Sequence, residues 1–138
     1  MKTLLLTFLL SCLGAHSYAE NQTLNLDKFI GEWTGGYIHK NNIRKDSWVQ
    51  TRAADGTFKL VYESYQYDVL SSTEINEGTW WIEGEYFYEK QNGVHDKADK
   101  YLYELIGKTK IKFTEISTDE KTSELIQGYS FTDTRVEK

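Results

Sequence analysis

The chain reads as an all-β domain: an antiparallel up-and-down meander of about eight short strands that closes into a barrel, preceded by a short N-terminal helical turn. Three observations predict this. Aromatic residues make up 14% of the chain, with four Trp and ten Tyr, and with the threonines they fall into runs of roughly five to ten residues, the composition of strands. Gly, Asp and Asn break these runs at short intervals, which leaves no room for the crossover helices of a parallel sheet. No apolar period of three to four residues lasts long enough to compete, apart from residues 24–30, which suit one or two helical turns.

The first element is a leader. Met1 and Lys2 give a positive start, residues 3–13 are almost wholly apolar, and Ser17-Tyr18-Ala19 places small residues at the −3 and −1 positions of a signal-peptidase site. Residues 1–19 are therefore expected to be a signal peptide and residues 20–138 the exported domain, periplasmic or secreted. The apolar run falls short of the roughly 20 residues that span a bilayer. An alternative reads Leu9-Leu10-Ser11-Cys12 as a lipobox, so that a lipid on Cys12 tethers the domain; a membrane is a partner only in that case. Cys12 is the single cysteine, so a domain cleaved after Ala19 must be held by its core without disulfides. Loss of Lys2 with the leader leaves 15 basic against 21 acidic residues, a net charge of −6. That sign argues against nucleic acid and anionic membrane surfaces as partners.

Eight strands follow, at about 32–39, 46–52, 57–67, 72–83, 85–91, 98–106, 109–117 and 122–136, separated by segments with turn chemistry. These turns include Asn41-Asn42, Ala54-Asp55-Gly56, Glu83-Gly84, Asn92-Gly93 and Gly107-Lys108. Joined so closely, consecutive strands must pair antiparallel, and closure of the meander removes its unpaired edges. Alternation assigns the inner face to Trp33, Tyr37, Trp48, Phe58, Leu60, Tyr62, Trp80, Ile82, Phe87, Tyr101, Tyr103, Leu105, Ile111, Phe113, Leu125, Tyr129 and Phe131. Val61, Trp81, Ile116 and Val136 fall on the opposite parity. The polar residues of inner parity are Gln50, Ser64, Glu89, Glu115 and Gln127, and a carboxylate inside a barrel requires a partner.

The segment Phe29-Ile30-Gly31-Glu32-Trp33, an apolar turn running into a Gly-x-Trp, resembles the opening of lipocalin and wider calycin barrels. Asp55-Gly56-Thr57-Phe58, followed by Gly78-Thr79-Trp80-Trp81-Ile82-Glu83-Gly84-Glu85, is similar to a pattern of small bacterial lipocalin-like domains, and Tyr129 to Val136 fits their last strand. The resemblance implies a lipocalin-like barrel in which Trp33 plugs one end and Arg135 packs over it, a cation–π contact worth roughly 0.5–2 kcal/mol. Gly31-Glu32-Trp33-Thr34-Gly35-Gly36 also resembles the start of nitrobindin-like haem barrels. Those use an axial histidine late in the chain, whereas the last histidine here is His95, so no cofactor is expected.

No catalytic constellation is legible: there is no Gly-x-Ser-x-Gly, no His–Glu motif at metal spacing and no Gly-rich phosphate loop. His95, Asp96 and Asp99 read as a solvated turn rather than a metal site, and His39 with Lys40 as a hairpin end near a barrel mouth. The expected function is therefore binding. An eight-stranded barrel is just packed or holds one small ligand, and Tyr37, Trp48, Tyr62, Trp80, Tyr101 and Tyr103 are the residues expected to meet a small, largely apolar ligand. In the alternative, the barrel is closed and presents the outer-parity aromatics Tyr65, Tyr67, Trp81, Tyr86 and Tyr88 to an envelope protein.

Overall fold

The computed structural model describes residues 25–40, 42–94 and 96–137. Residues 1–19, expected as a leader, with Cys12, and also His95, therefore lie outside the described residues. Eight strands form in chain order: β1 (Gly31–Ile38), β2 (Arg44–Arg52), β3 (Thr57–Gln66), β4 (Val69–Glu83), β5 (Tyr86–Gln91), β6 (Asp99–Ile106), β7 (Lys110–Thr118) and β8 (Leu125–Arg135). Each pairs antiparallel with the next, and β8 returns to β1, so the sheet is a closed eight-stranded meander barrel. The closing seam is the shortest: β1 and β8 share two residue pairs, Trp33 with Arg135 and Thr34 with Thr134, whereas β1 and β2 share eight.

Turn chemistry sets the strand limits. Before β3, Asp55 Oδ1 accepts from the Thr57 amide at 2.9 Å and from its hydroxyl at 2.6 Å, and Gly56 takes the left-handed φ of 83° that lets the chain reverse. Between β3 and β4 the reversal is made by Tyr67 and Asp68 at φ 51° and 61°, a pair of left-handed residues like those of the tight hairpin turns. That turn starts β4 at Val69, earlier than the sequence pattern places it.

The core lies toward the end where β1 begins. There a 3-10 turn, Leu26–Lys28, is capped by Asn25 Oδ1, which accepts from the Asp27 amide at 3.1 Å. The turn delivers Phe29 under the barrel, where it is buried against Trp80, Phe87 and Tyr103. The Trp33 indole donates to the Phe29 carbonyl at 2.8 Å, and the Arg135 guanidinium lies 4.4 Å over the Trp33 ring. The same guanidinium donates through Nη1 to the Ile30 carbonyl at 2.7 Å and through Nη2 to that of Lys28 at 2.8 Å. The last strand thus ties the first turn down and shuts this end.

Most of the expected inner face is where alternation puts it, with Trp33, Phe58, Leu60, Trp80, Phe87, Tyr101, Ile111 and Phe113 buried. Four of the expected set are exposed: Tyr37, Leu105, Leu125 and Tyr129. Leu105 stands near the end of β6, and Tyr37 and Tyr129 lie at the barrel mouth. Leu125 has changed faces. Between β7 and β8 the register shifts, Thr114 facing Ser130 but Ile116 facing Gln127, so an extra β8 residue reverses the parity of everything before it. Gln127 is turned out with Leu125, and Ile116, expected outside, is buried at the bulge.

Candidate functional site

A cavity of about 630 Å³ occupies the other half of the barrel. It runs from Tyr37, His39 and Arg44, where β1 ends and β2 begins, down to Arg52, Phe113 and Asp133. Its size is typical of small-molecule sites. One wall is aromatic: the Trp48 and Tyr62 rings lie parallel, within 2°, with centroids 6.0 Å apart, and Phe131 meets Trp48 edge-on at 5.4 Å. Gly35 makes room for this indole, since a Cβ there would sit 2.5 Å from two of its carbon atoms.

The floor is polar and buried. Asp133 Oδ1 accepts from the Trp48 indole at 2.9 Å, and its Oδ2 accepts from Arg52 Nη2 at 2.5 Å. Arg52 Nε donates to Gln50 Oε1 at 2.7 Å, and Gln50 Nε2 donates in turn to Glu89 Oε2 at 2.9 Å. The Arg52 guanidinium also stands 5.0–5.5 Å from the rings of Phe87, Phe113 and Trp33, so aromatic faces contribute to holding a buried cation. Its Nη1 is buried and has no hydrogen-bond partner among the described residues. Burial pushes the Glu89 carboxyl above its ordinary range, against the lowering effects of the Gln50 bond and the Arg52 charge. The Tyr101 hydroxyl is driven well above the usual tyrosine range, first by burial and then by the Glu89 charge.

A second polar group guards the mouth. Asp46 accepts from Ser64 Oγ at 2.8 Å and Arg44 Nε at 3.1 Å, and bonds His39 Nε2 at 2.7 Å. Burial acts to raise the Asp46 carboxyl, but the bonds from His39, Ser64, Tyr62 and Arg44 together hold it at about 2. Burial, with Asp46 as the next cause, pushes the Tyr62 hydroxyl to about 12.

The structure divides the residues expected to meet a ligand. Tyr37, Trp48, Tyr62 and Tyr101 line the cavity. Trp80 and Tyr103 lie against Phe29 at the closed end and do not line the cavity. Trp33 and Arg135 meet as a pair at that end. Of the polar inner candidates, Gln50 and Ser64 are buried and Glu89 lines the cavity. The residues the sequence reading missed are Asp46, Arg52 and Asp133, all buried charges. Each has the inner parity of its neighbours Trp48 or Phe131, which is the signal that would have found them.

On the outer face Trp81, Tyr86 and Tyr88 form one group. The Trp81 and Tyr88 rings are parallel at 5.3 Å, Tyr86 meets Tyr88 at 6.5 Å, and Lys100 Nζ lies 3.9 Å over Tyr86. Among the described residues no cluster of three or more His, Cys, Asp or Glu is placed to hold a metal. What the cavity offers is aromatic faces and fixed hydrogen-bond groups, the chemistry of recognition.

Comparison with protein-family models, curated proteins and solved structures finds no match to the chain. The class therefore rests on the architecture: an eight-stranded antiparallel closed β-barrel, consistent with a lipocalin-like fold.

Proposed function

We propose that this is an exported lipocalin-like, calycin-type binding protein that takes a small, largely apolar ligand into its barrel. The observation that carries the reading is the aromatic-walled cavity of about 630 Å³ above a closed, plugged end. Apolar area leaving water supplies the affinity, at roughly 25 cal/mol per Å², and the polar groups of floor and mouth orient the ligand. Export through residues 1–19 to the periplasm or beyond belongs to the same proposal, as does the choice between a free domain and one anchored through Cys12. Titration with N-phenyl-1-naphthylamine tests it, since the probe brightens on leaving water. Saturable binding that weakens when Trp48 is replaced by Ala is the expected result, and no saturable binding refutes the reading.

A second reading has its own observation, the contiguous outer group of Trp81, Tyr86 and Tyr88. In that reading the barrel presents these rings to an envelope protein. Trp81→Ala should then abolish a photo-crosslink to one discrete partner in the intact envelope while leaving probe binding in place.

A further inference from the structure

Resting on the reading that the cavity takes a small, largely apolar ligand, we propose that this ligand is an amphipathic organic cation, a protonated amine on an apolar body. Its ammonium goes to Glu89 at the cavity floor, and its body stands along the wall of Trp48, Tyr62 and Phe131. The juxtaposition that points there is a wall of acids facing a wall of rings. On β4, β5 and β6 the cavity is lined by Glu74, Glu89 and Asp99, and among the described residues no Lys, Arg or His of those strands joins them. The basic groups of the lining come from β1 and β2 and are already engaged: His39 and Arg44 by Asp46, Arg52 by Asp133. Neither Glu74 nor Glu89 makes an ion pair among the described residues. The lining thus keeps a surplus of acid, and a low-dielectric cleft of one sign concentrates ligands of the other. A carboxylate ligand would face the same acids with both guanidinium groups taken.

Glu89 is where the acid wall meets the aromatic one. Its Oε2 accepts from Gln50 Nε2, and Gln50 stands two residues below Trp48 on β2, so an ammonium at the one and an apolar body at the other fit within one small molecule. Glu89 is half-buried, and its Oε1, without a hydrogen-bond partner among the described residues, keeps accessible surface. Across the strands Glu89 pairs directly with Asp99, a like-charge arrangement that is destabilising until something positive meets it. Burial, with the charges of Asp99 and Asp133, pushes the Glu89 carboxyl up, while the Gln50 bond and the Arg52 charge pull it down. The Tyr101 and Tyr129 hydroxyls also feel its charge, from β6 and β8. The incoming ammonium takes the place of the acid proton: the protonated carboxyl and R–NH3+ give a carboxylate–ammonium pair, and the proton leaves to water. Binding therefore weakens as pH falls into the ordinary glutamate range, where the proton competes with the ligand.

Isothermal titration of the protein with 2-naphthylmethylamine, 2-naphthylmethanol and naphthalene-2-carboxylate tests the proposal, since the three share one ring system and differ in charge. At pH 7 the amine is expected to bind at least about tenfold more tightly than the alcohol, with the carboxylate weakest. Glu89→Gln, which keeps the side-chain volume and removes the charge, should bring the amine to within about threefold of the alcohol. A second measurement needs no variant: at about pH 5, just above the ordinary glutamate range, titration in two buffers of different ionisation enthalpy should show proton release with the amine and none with the alcohol. Equal binding of amine and alcohol overturns the proposal but not the cavity reading. Tightest binding by the carboxylate overturns it as well, and so does an amine preference that survives Glu89→Gln or comes without proton release at that pH. If no probe binds, the cavity reading itself fails and this inference with it.

Discussion

Asp133→Ala is the sharpest probe of the barrel floor. Asp133 is 1% exposed and Arg52 2%, and Asp133 accepts from both Arg52 Nη2 and the Trp48 indole. Truncation leaves a guanidinium out of water with one remaining hydrogen bond, to Gln50, and strands the indole N–H. Breaking a buried pair from one side costs about 3–5 kcal/mol, a large share of the 5–15 kcal/mol that typically holds a domain together. For a domain of this size that corresponds to a fall of roughly 12–20 °C in Tm. Urea unfolding followed by tryptophan fluorescence gives the free energy directly. The control is the double variant Arg52→Met with Asp133→Leu, which removes both charges and fills the space; it should recover most of the loss, because replacing a buried pair by apolar groups is often neutral or stabilising. A loss below about 1 kcal/mol for Asp133→Ala would refute the reasoning, since the pair would then be solvated in solution.

Other outcomes follow from the same geometry. Asp46, held at about 2 in the fold against an ordinary 3.8, contributes stability that is complete above about pH 4 and lost as pH falls toward 2. That contribution is about 2 kcal/mol at most, so Asp46→Asn should flatten the acid limb of a stability–pH curve measured in urea. Glu89 has the opposite sign: its raised carboxyl makes stability fall as pH rises above the ordinary glutamate range. Glu89→Gln should therefore raise the urea midpoint at pH 7 and remove that decline. Gly35→Ala drives a methyl to 2.5 Å from the Trp48 ring and should cost about 1–3 kcal/mol by overpacking, with a shift in tryptophan emission. Phe29→Ala empties the plug beneath Trp33 and should cost about 3–5 kcal/mol, read as a lower thermal midpoint.

The meander was legible in the sequence because each strand carries its own alternation and most turns carry Gly, Asn or Asp. Where the local code is silent, the structure departs from the sequence pattern. Tyr67 and Asp68 make a left-handed turn without a glycine to announce it, so β4 begins at Val69, before the sequence pattern starts it. The β8 bulge leaves no composition signal either, and it alone reversed Leu125 and Gln127. The sequence marks Phe29 only as part of a helical turn, yet the turn's main contribution is to carry that ring under the barrel. The cavity floor was missed for a different reason: Arg52 and Asp133 stand near strand ends, where charges ordinarily reach water. Their mutual neutralisation connects β2 to β8, a relationship that no local window contains.

The narrow seam between β1 and β8 bears on how the molecule is made. Trp33 and Arg135, which join there, are about a hundred residues apart, so closing the ring comes at the entropy of a loop nearly as long as the domain. Until the last strand arrives, the growing meander has two unpaired edges and an exposed aromatic interior, a state open to association with other chains. With no proline in the chain, isomerisation adds no slow phase. Topology is then what sets the folding rate, and the grip of Arg135 on Trp33 and the first turn is the latch that ends the exposure.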